Sequence, residues 1–260
     1  MERVDRPTVA TFHAGEPLAP GATVVLGEDA AHHARVRRLE VGERVVLTDG
    51  AGAVAQGTLV RLSKHHAAVD VASVERRDPP PAVHLLVPVA DRDRMLWLAE
   101  KSVELAATSW RPVLWRRSRS VSPRGEGTAF QGKVRARMSA ALTQCEGAWL
   151  PHLFPDATPE RAVAAAPEGT RLVLDADAPP LLTLLPLPLD GPVTLAVGPE
   201  GGLEREERER LVAAGFAPAS LGGHILRFET AAVAALAVVR ASLAAAGSLS
   251  PDLRPSEPHG

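Results

Sequence analysis

The chain has 260 residues, 45% of them apolar and 23% charged, with a formal net charge of −2. That length suits one large domain or two modest ones with a real core, and the charge excludes a chain that is basic throughout, so any nucleic-acid contact must be a local patch. Cys145 is the only cysteine, which excludes a disulfide framework and a thiolate metal site and points to a reducing, cytoplasmic setting.

In chain order, residues 1–10 carry charges of both signs and no apolar run, unlike a secretory leader. A short helix is predicted over 29–39, with Asp29 as its N-cap. Residues 45–48, 53–62 and 67–74 are rich in β-branched and small residues and read as strands. Asp49-Gly50-Ala51-Gly52 between the first two is a hairpin signal. Together these predict a small β-barrel within residues 1–78. Residues 75–81, ending in three consecutive prolines, read as a linker.

After it the texture becomes α/β. Residues 83–89 form a continuous apolar run, as expected of a strand buried on both faces. Residues 95–107 have helical spacing, with Met95, Leu98, Ser102 and Leu105 on one face. A strand over 112–115, a helix over 132–144, strands over 171–174 and 193–197, a charged helix over 203–214 and an apolar one over 229–245 follow. Strands alternating with helices predict a mostly parallel sheet in a second domain, residues 79–247. The most apolar stretch, 231–246, is mostly alanine and interrupted by Arg240, so it reads as a buried helix rather than a membrane span. Residues 248–260 are polar and proline-rich and read as a disordered tail.

Two segments carry chemistry. Val197-Gly198-Pro199-Glu200-Gly201-Gly202 lies between a predicted strand and a helix. Glycines there permit close backbone approach to a ligand, and the following helix offers free N–H groups; a simple tight turn is the alternative. The acidic start of that helix, Glu204 to Glu207, reads as dipole matching on a solvated face. The second segment is Leu221-Gly222-Gly223-His224-Ile225-Leu226-Arg227-Phe228-Glu229-Thr230-Ala231. Glu229 and Thr230 suit a helix cap, but Arg227 between two apolar residues reads as a half-buried cation wanting an anion or carbonyls.

Taken together, Gly-Pro-Glu-Gly-Gly and, some twenty residues on, Leu-Gly-x-x-Ile-Leu-Arg-x-Glu-Thr-Ala resemble the C-terminal signature of the SPOUT RNA methyltransferases. Within that superfamily the chain most resembles the 16S rRNA (uracil-1498, N3) methyltransferase family. His32-x-x-Arg35-Val36-x-Arg38-Leu39, Lys101-Ser102-Val103-Glu104-Leu105, and Gln144-Cys145 with Pro151 are similar to further elements of it. The resemblance covers about residues 32–239. It implies a PUA-like N-terminal barrel, a C-terminal α/β domain tied in a deep trefoil knot, a homodimer, and S-adenosyl-L-methionine as cofactor. By motif matching the cofactor lies against Leu174, Val197, Gly198, Pro199, Glu200, Gly201, Gly202, Leu221, Gly222, Ile225, Leu226 and Arg227. The implied substrate is 16S rRNA of the 30S subunit, and no metal or membrane is implied. The chain departs from the family at Thr143, Glu146 and Gly147, where an acid and an arginine are missing, and at Arg92, Arg94, Ala106, Gly223, His224 and Phe228. The changes near Gly147 and His224 bear on RNA contact and keep open another RNA, such as a tRNA, or a binding protein without catalysis.

Between Asp91 and Arg137 the chain holds eleven Lys/Arg against five Asp/Glu. Arg94, Lys101, Arg116, Arg117 and Arg119 in this stretch, and Arg35 and Arg38 on the first helix, are the candidate RNA contacts, with Trp110 and Trp115 available for base stacking or for a core. His32-His33 and His65-His66 lack further ligands at metal spacing and read as surface residues, and Cys145 reads as a buried core residue. Arg227 is the candidate to stabilise a uracil anion, Glu229 the candidate proton acceptor, and Thr230 completes the catalytic set. A nucleotide-binding α/β protein is disfavoured, because neither a P-loop nor a Rossmann fingerprint is present.

Overall fold

The computed structural model describes residues 10–118, 127–186 and 191–245. Arg119, residues 1–9 and the tail over 248–260 lie outside the described residues. The chain divides into two compact units, Met1–Pro79 with Ser139–Leu150, and Pro80–Met138 with Pro151–Gly260.

The first unit carries β1 (Thr11–His13), β2 (Thr23–Leu26), α1 (Glu28–Val36), β3 (Arg44–Thr48), β4 (Ala53–Leu62) and β5 (Ala67–Arg76). They form one sheet in the order β1-β3-β4-β5-β2. Alternation along the strands puts Phe12, Val45, Leu47, Leu59 and Val69 into a core with Ala31 and Ala34 of α1. Asp49 supports the hairpin turn: its Oδ1 accepts from the amides of Ala51 (2.7 Å) and Ala53 (2.9 Å). Helix α1 is shorter than predicted and differently capped. Gly27, not Asp29, is the N-cap, and Asp29 sits in the first turn beside Glu28. The helix stops before Arg38, which adopts φ +57° and so leaves the helical region. β5 runs past Val74 into the predicted linker because Glu75 and Arg76 still pair with Val54 and Ala53. Residues 139–150 were not expected here. Trp149 donates from Nε1 to the carbonyls of Arg77 (3.2 Å) and Asp78 (3.1 Å), and a Cβ on Gly52 would lie 2.4 Å from its ring. Cys145 is half-buried rather than buried.

The second unit carries β6 (Val83–Pro88), α2 (Arg92–Glu104), β7 (Ser109–Val113), most of α3 (Gly127–Gln144), β8 (His152–Leu153), α4 (Pro159–Ala164), β9 (Thr170–Leu174), α5 (Leu181–Leu184), β10 (Val193–Ala196), α6 (Arg205–Ala213), β11 (Ala217–Ala219) and α7 (Phe228–Ala245). The six strands are all parallel, in the order β11-β9-β10-β6-β7-β8. β6 and β10 are central, and Val83, Leu85, Leu86, Val87 and all of β10 are buried, as the apolar runs predicted. β7 starts three residues earlier than predicted, so Trp110 lies within it and is buried. Arg240 of α7 is buried as well. It donates to the carbonyls of Pro81 (2.6 Å), Leu105 (3.0 Å) and Ala106, satisfying the open C-terminal end of α2 where Ala106 turns to φ +53°. Burial pushes its guanidinium pKa down to about 10. No helix among the described residues is long and apolar enough to cross a membrane.

Candidate functional site

Three neighbouring parallel strands, β11, β9 and β10, end side by side. Their carboxyl ends deliver Leu174, Val197 and Ser220 to one place, although these residues are far apart in sequence. In open α/β sheets that edge is where ligands bind. Here it forms a cavity of about 210 Å³.

The cavity is lined by ten of the twelve residues expected to hold a cofactor: Leu174, Val197, Gly198, Pro199, Glu200, Gly202, Leu221, Gly222, Ile225 and Leu226. Gly201 and Arg227 do not line it. Asp175 and His224, within the loops after Leu174 and from Leu221 to Arg227 that the family resemblance assigns to the cofactor, also line it, and Leu203, Arg208, Ser220 and Phe228 line it without having been expected there. Asp175 directly follows a predicted strand, so strand-end position was the signal that pointed to it; for Arg208, on a helix read as a solvated face, there was none.

Backbone geometry explains the glycines. A Cβ on Gly198 would lie 3.0 Å from Leu203 Cγ, and Gly202 turns the chain at φ +71° with its amide on the Pro199 carbonyl (2.8 Å). Gly222 sits at φ +136°. Among the described residues, the amides of Leu221, Gly222, Ile225 and Leu226 meet no acceptor. The site thus combines apolar walls with free main-chain donors, a donor set suited to a flat heterocycle with ring-nitrogen acceptors.

Neighbouring side chains hold the Gly198–Gly202 loop. Trp115, buried, donates from Nε1 to the Val197 carbonyl (3.1 Å). Arg117 donates to the Gly201 carbonyl (2.7 Å), and its aliphatic stem packs where a Gly201 side chain would stand. Arg94 pairs with Glu200 and, at 3.8 Å, with Glu229. The start of α6 is not a merely solvated acidic face. Glu204 and Glu207 form a reciprocal capping box, Glu207 is buried, and its Oε1 accepts from the Arg116 amide (2.8 Å).

Tertiary structure also reassigns the basic stretch. Lys101 lies between Glu100 (2.9 Å) and Glu104 (2.7 Å), which raise its pKa. Arg116 reaches Glu204 at 3.1 Å and Arg117 reaches it at 3.5 Å. Glu200 and Glu204, which pair with Arg94, Arg116 and Arg117, lie outside the stretch, so a count along the chain overstates the free positive charge. Trp110 and Trp115 are core residues, which corrects the base-stacking option. In the first unit Arg35 is exposed and bonds the Lys64 carbonyl (3.0 Å), and Arg38 is exposed at the end of α1.

At the second glycine segment, Arg227 is exposed rather than half-buried. Residues 221–227 form a turn, so neighbours do not alternate between core and solvent; Ile225 is 92% exposed, and only Phe228 turns inward. Glu229 and Thr230 lie in the first turn of α7, Glu229 buried and Thr230 exposed. Glu229 Oε2 is buried with no hydrogen-bond partner. Neither residue lines the cavity.

Residues 77–240 match the model of the RNA methyltransferase domain, and residues 26–72 that of the RNA methyltransferase PUA domain. This chain belongs to the RNA methyltransferase family. Among curated relatives of this RNA methyltransferase is the ribosomal RNA small subunit methyltransferase E of Synechocystis sp., 32% identical over 85% of this chain and 74% of that protein. Among solved structures, a methyltransferase of Legionella pneumophila with bound SAM superposes with TM-score 0.83 at 28% identity, covering 91% of this chain and 98% of that one. The ribosomal RNA small subunit methyltransferase E of Neisseria gonorrhoeae, bound to S-adenosyl methionine, gives TM-score 0.78 at 28% identity, covering 90% and 97%. The family resemblance read from residues 32–239 therefore holds.

Proposed function

We propose that this chain transfers a methyl group from S-adenosyl-L-methionine to N3 of a uridine, expected to be uridine 1498, in 16S rRNA of the 30S subunit. The observation that carries this reading is the convergence of three strand ends on one cavity with unpaired main-chain donors and a glycine cradle at Gly198. The similarity to methyltransferases solved with S-adenosyl methionine supports it. When bound, the cofactor supplies an electrophilic methyl on a sulfonium.

The chain's own residues contribute position and charge. Leu174, Val197, Leu221 and Leu226 pack on the faces of a flat heterocycle, and the amides of the second glycine turn fix its orientation at its ring nitrogens. Arg227, exposed beside Leu226, stabilises negative charge on a uracil carbonyl oxygen as N3 loses its proton. Glu229 is the proton acceptor in this scheme, through its unpartnered Oε2, with Thr230 beside it. Arg116 and Arg117, exposed next to the Gly201 turn, contact RNA phosphate, and Arg35 and Arg38 form a second contact on the first unit. The closed PUA-like barrel, the trefoil knot, the homodimer and a cytoplasmic location belong to the same reading and rest on the family resemblance.

Methylation of 30S subunits with nucleotide-level mapping tests the assignment. The expected product is a single N3-methyluridine; a methyl group mapped to another nucleotide, or to tRNA, moves the substrate, and cofactor binding without transfer removes catalysis. Arg227→Ala is expected to lower kcat by about 10²-fold with unchanged cofactor affinity. A full rate in that variant would remove Arg227 from the mechanism.

A further inference from the structure

The cavity wall carries an ion pair that the backbone-centred reading leaves without a task. Asp175 follows β9, and Arg208 lies on α6. Both line the cavity, and Arg208 Nη1 stands 3.5 Å from Asp175 Oδ2. Each side chain is held by its far end. Asp175 Oδ1 accepts from the Asp177 amide (3.1 Å), and Arg208 Nη2 donates to the Leu203 carbonyl (3.1 Å). One carboxylate oxygen and one guanidinium nitrogen are thereby presented toward each other at a loose separation, neither buried, with 25% of the Asp175 and 51% of the Arg208 side chain exposed.

The other acid on the wall, Glu200, pairs with Arg94, which does not line the cavity. Asp175 and Arg208 are the ion pair of which both members line it, and the rest of the wall is apolar or main chain apart from Glu200, His224 and Ser220. A cofactor with a neutral heterocycle at one end and an amino acid at the other divides along the same line. Its α-ammonium and α-carboxylate sit on one carbon, a compact dipole that an opposed Asp–Arg pair matches with two charge-assisted hydrogen bonds. Arg offers a fork suited to a carboxylate, and Asp offers only acceptors, which suit an ammonium.

We propose that Asp175 and Arg208 form the subsite for the amino-acid end of the cofactor, Asp175 receiving the α-ammonium and Arg208 the α-carboxylate. This rests on the cavity being the cofactor site. It makes the pair a specificity determinant that separates the full cofactor from nucleosides lacking the amino acid.

Calorimetry with two probes tests it: S-adenosylhomocysteine, and methylthioadenosine, which keeps the nucleoside and thioether but lacks the amino-acid end. Arg208→Gln and Asp175→Asn are each expected to weaken S-adenosylhomocysteine about tenfold, while methylthioadenosine affinity stays within about twofold of wild type. Retained methylthioadenosine binding also shows that the cavity is intact in each variant. Equal weakening of both probes would overturn the assignment and place the pair at the nucleoside. Unchanged binding of both would overturn it as well. If wild-type protein binds neither probe, the cofactor reading falls and this subsite with it; if wild type binds both equally well, only the subsite falls.

Discussion

The two sheets are built on different plans, the first mixing antiparallel pairs with the parallel β1–β3 pair and the second parallel throughout. In the first unit β3, β4 and β5 are consecutive antiparallel neighbours, and the turn chemistry at Asp49–Gly52 joins the first two. In the second unit all six strands are parallel, and β10 lies between β9 and β6, the latter more than a hundred residues earlier. A parallel neighbour needs a crossover, so its contacts are long-range by construction. The first plan sets a local meander, β3-β4-β5, between two longer-range pairs, β1–β3 and β5–β2. The second brings the ends of β9, β10 and β11, each reached through a crossover, to one edge, and the cavity forms there.

Substitutions test this contrast, and the largest effect is expected where a long-range tie is cut. Arg240→Ala strips three backbone carbonyls of their donor and leaves a void beside α2, so a loss of about 3–5 kcal/mol is expected in chemical denaturation. A loss under about 1 kcal/mol would mean that this tie contributes no more than a local turn does. Next comes Arg94→Ala, which frees the Glu200 loop and leaves Glu229 buried without its cation. S-adenosylhomocysteine affinity should fall about three- to tenfold, and Arg94→Lys should recover part of it. Recovery by neither lysine nor salt would remove the ionic explanation.

A smaller effect is expected from the local plan. Asp49→Ala deletes two side-chain acceptors in the β3–β4 turn and should cost about 1 kcal/mol, with unchanged cofactor affinity. The smallest effect is a pH dependence. Burial, and to a lesser extent Arg240, holds His84 below its ordinary value of 6.5, with Ser109 Oγ 2.7 Å from its Nδ1. The folded state therefore takes up a proton less readily than the unfolded chain. This contribution to stability is present above about pH 6.5 and is lost as pH falls through the lowered folded value. His84→Gln should shrink the drop in Tm between about pH 7.5 and about pH 5.5 by about 1–3 °C. An unchanged drop would assign it to other groups, such as His33, whose pKa burial also lowers.

Much of the candidate site was legible because its signals are local. Glycines at Gly198, Gly202 and Gly222 meet backbone needs within a few residues, and strand ends at Leu174 and Val197 follow from apolar runs. The short elements were less legible. β1, β8, α4 and α5 span two to six residues each, too few for periodicity to register. The end of α1 moved because Arg38 left the helical region, and β5 lengthened because β4 continued beside it.

The alternation of strands and helices, the glycine-bearing bends and the family are legible in the chain, since each depends on residues close together or on a motif read in order. Which charges are free depends on the fold. Arg94 meets Glu200, Arg117 meets Gly201 and Glu204, and Asp175 meets Arg208, across separations set by strand order rather than by sequence. A charge counted along the chain has no partner until the sheet assigns its neighbours; for the same reason Trp110 and Trp115 became core and Arg227 came to the surface.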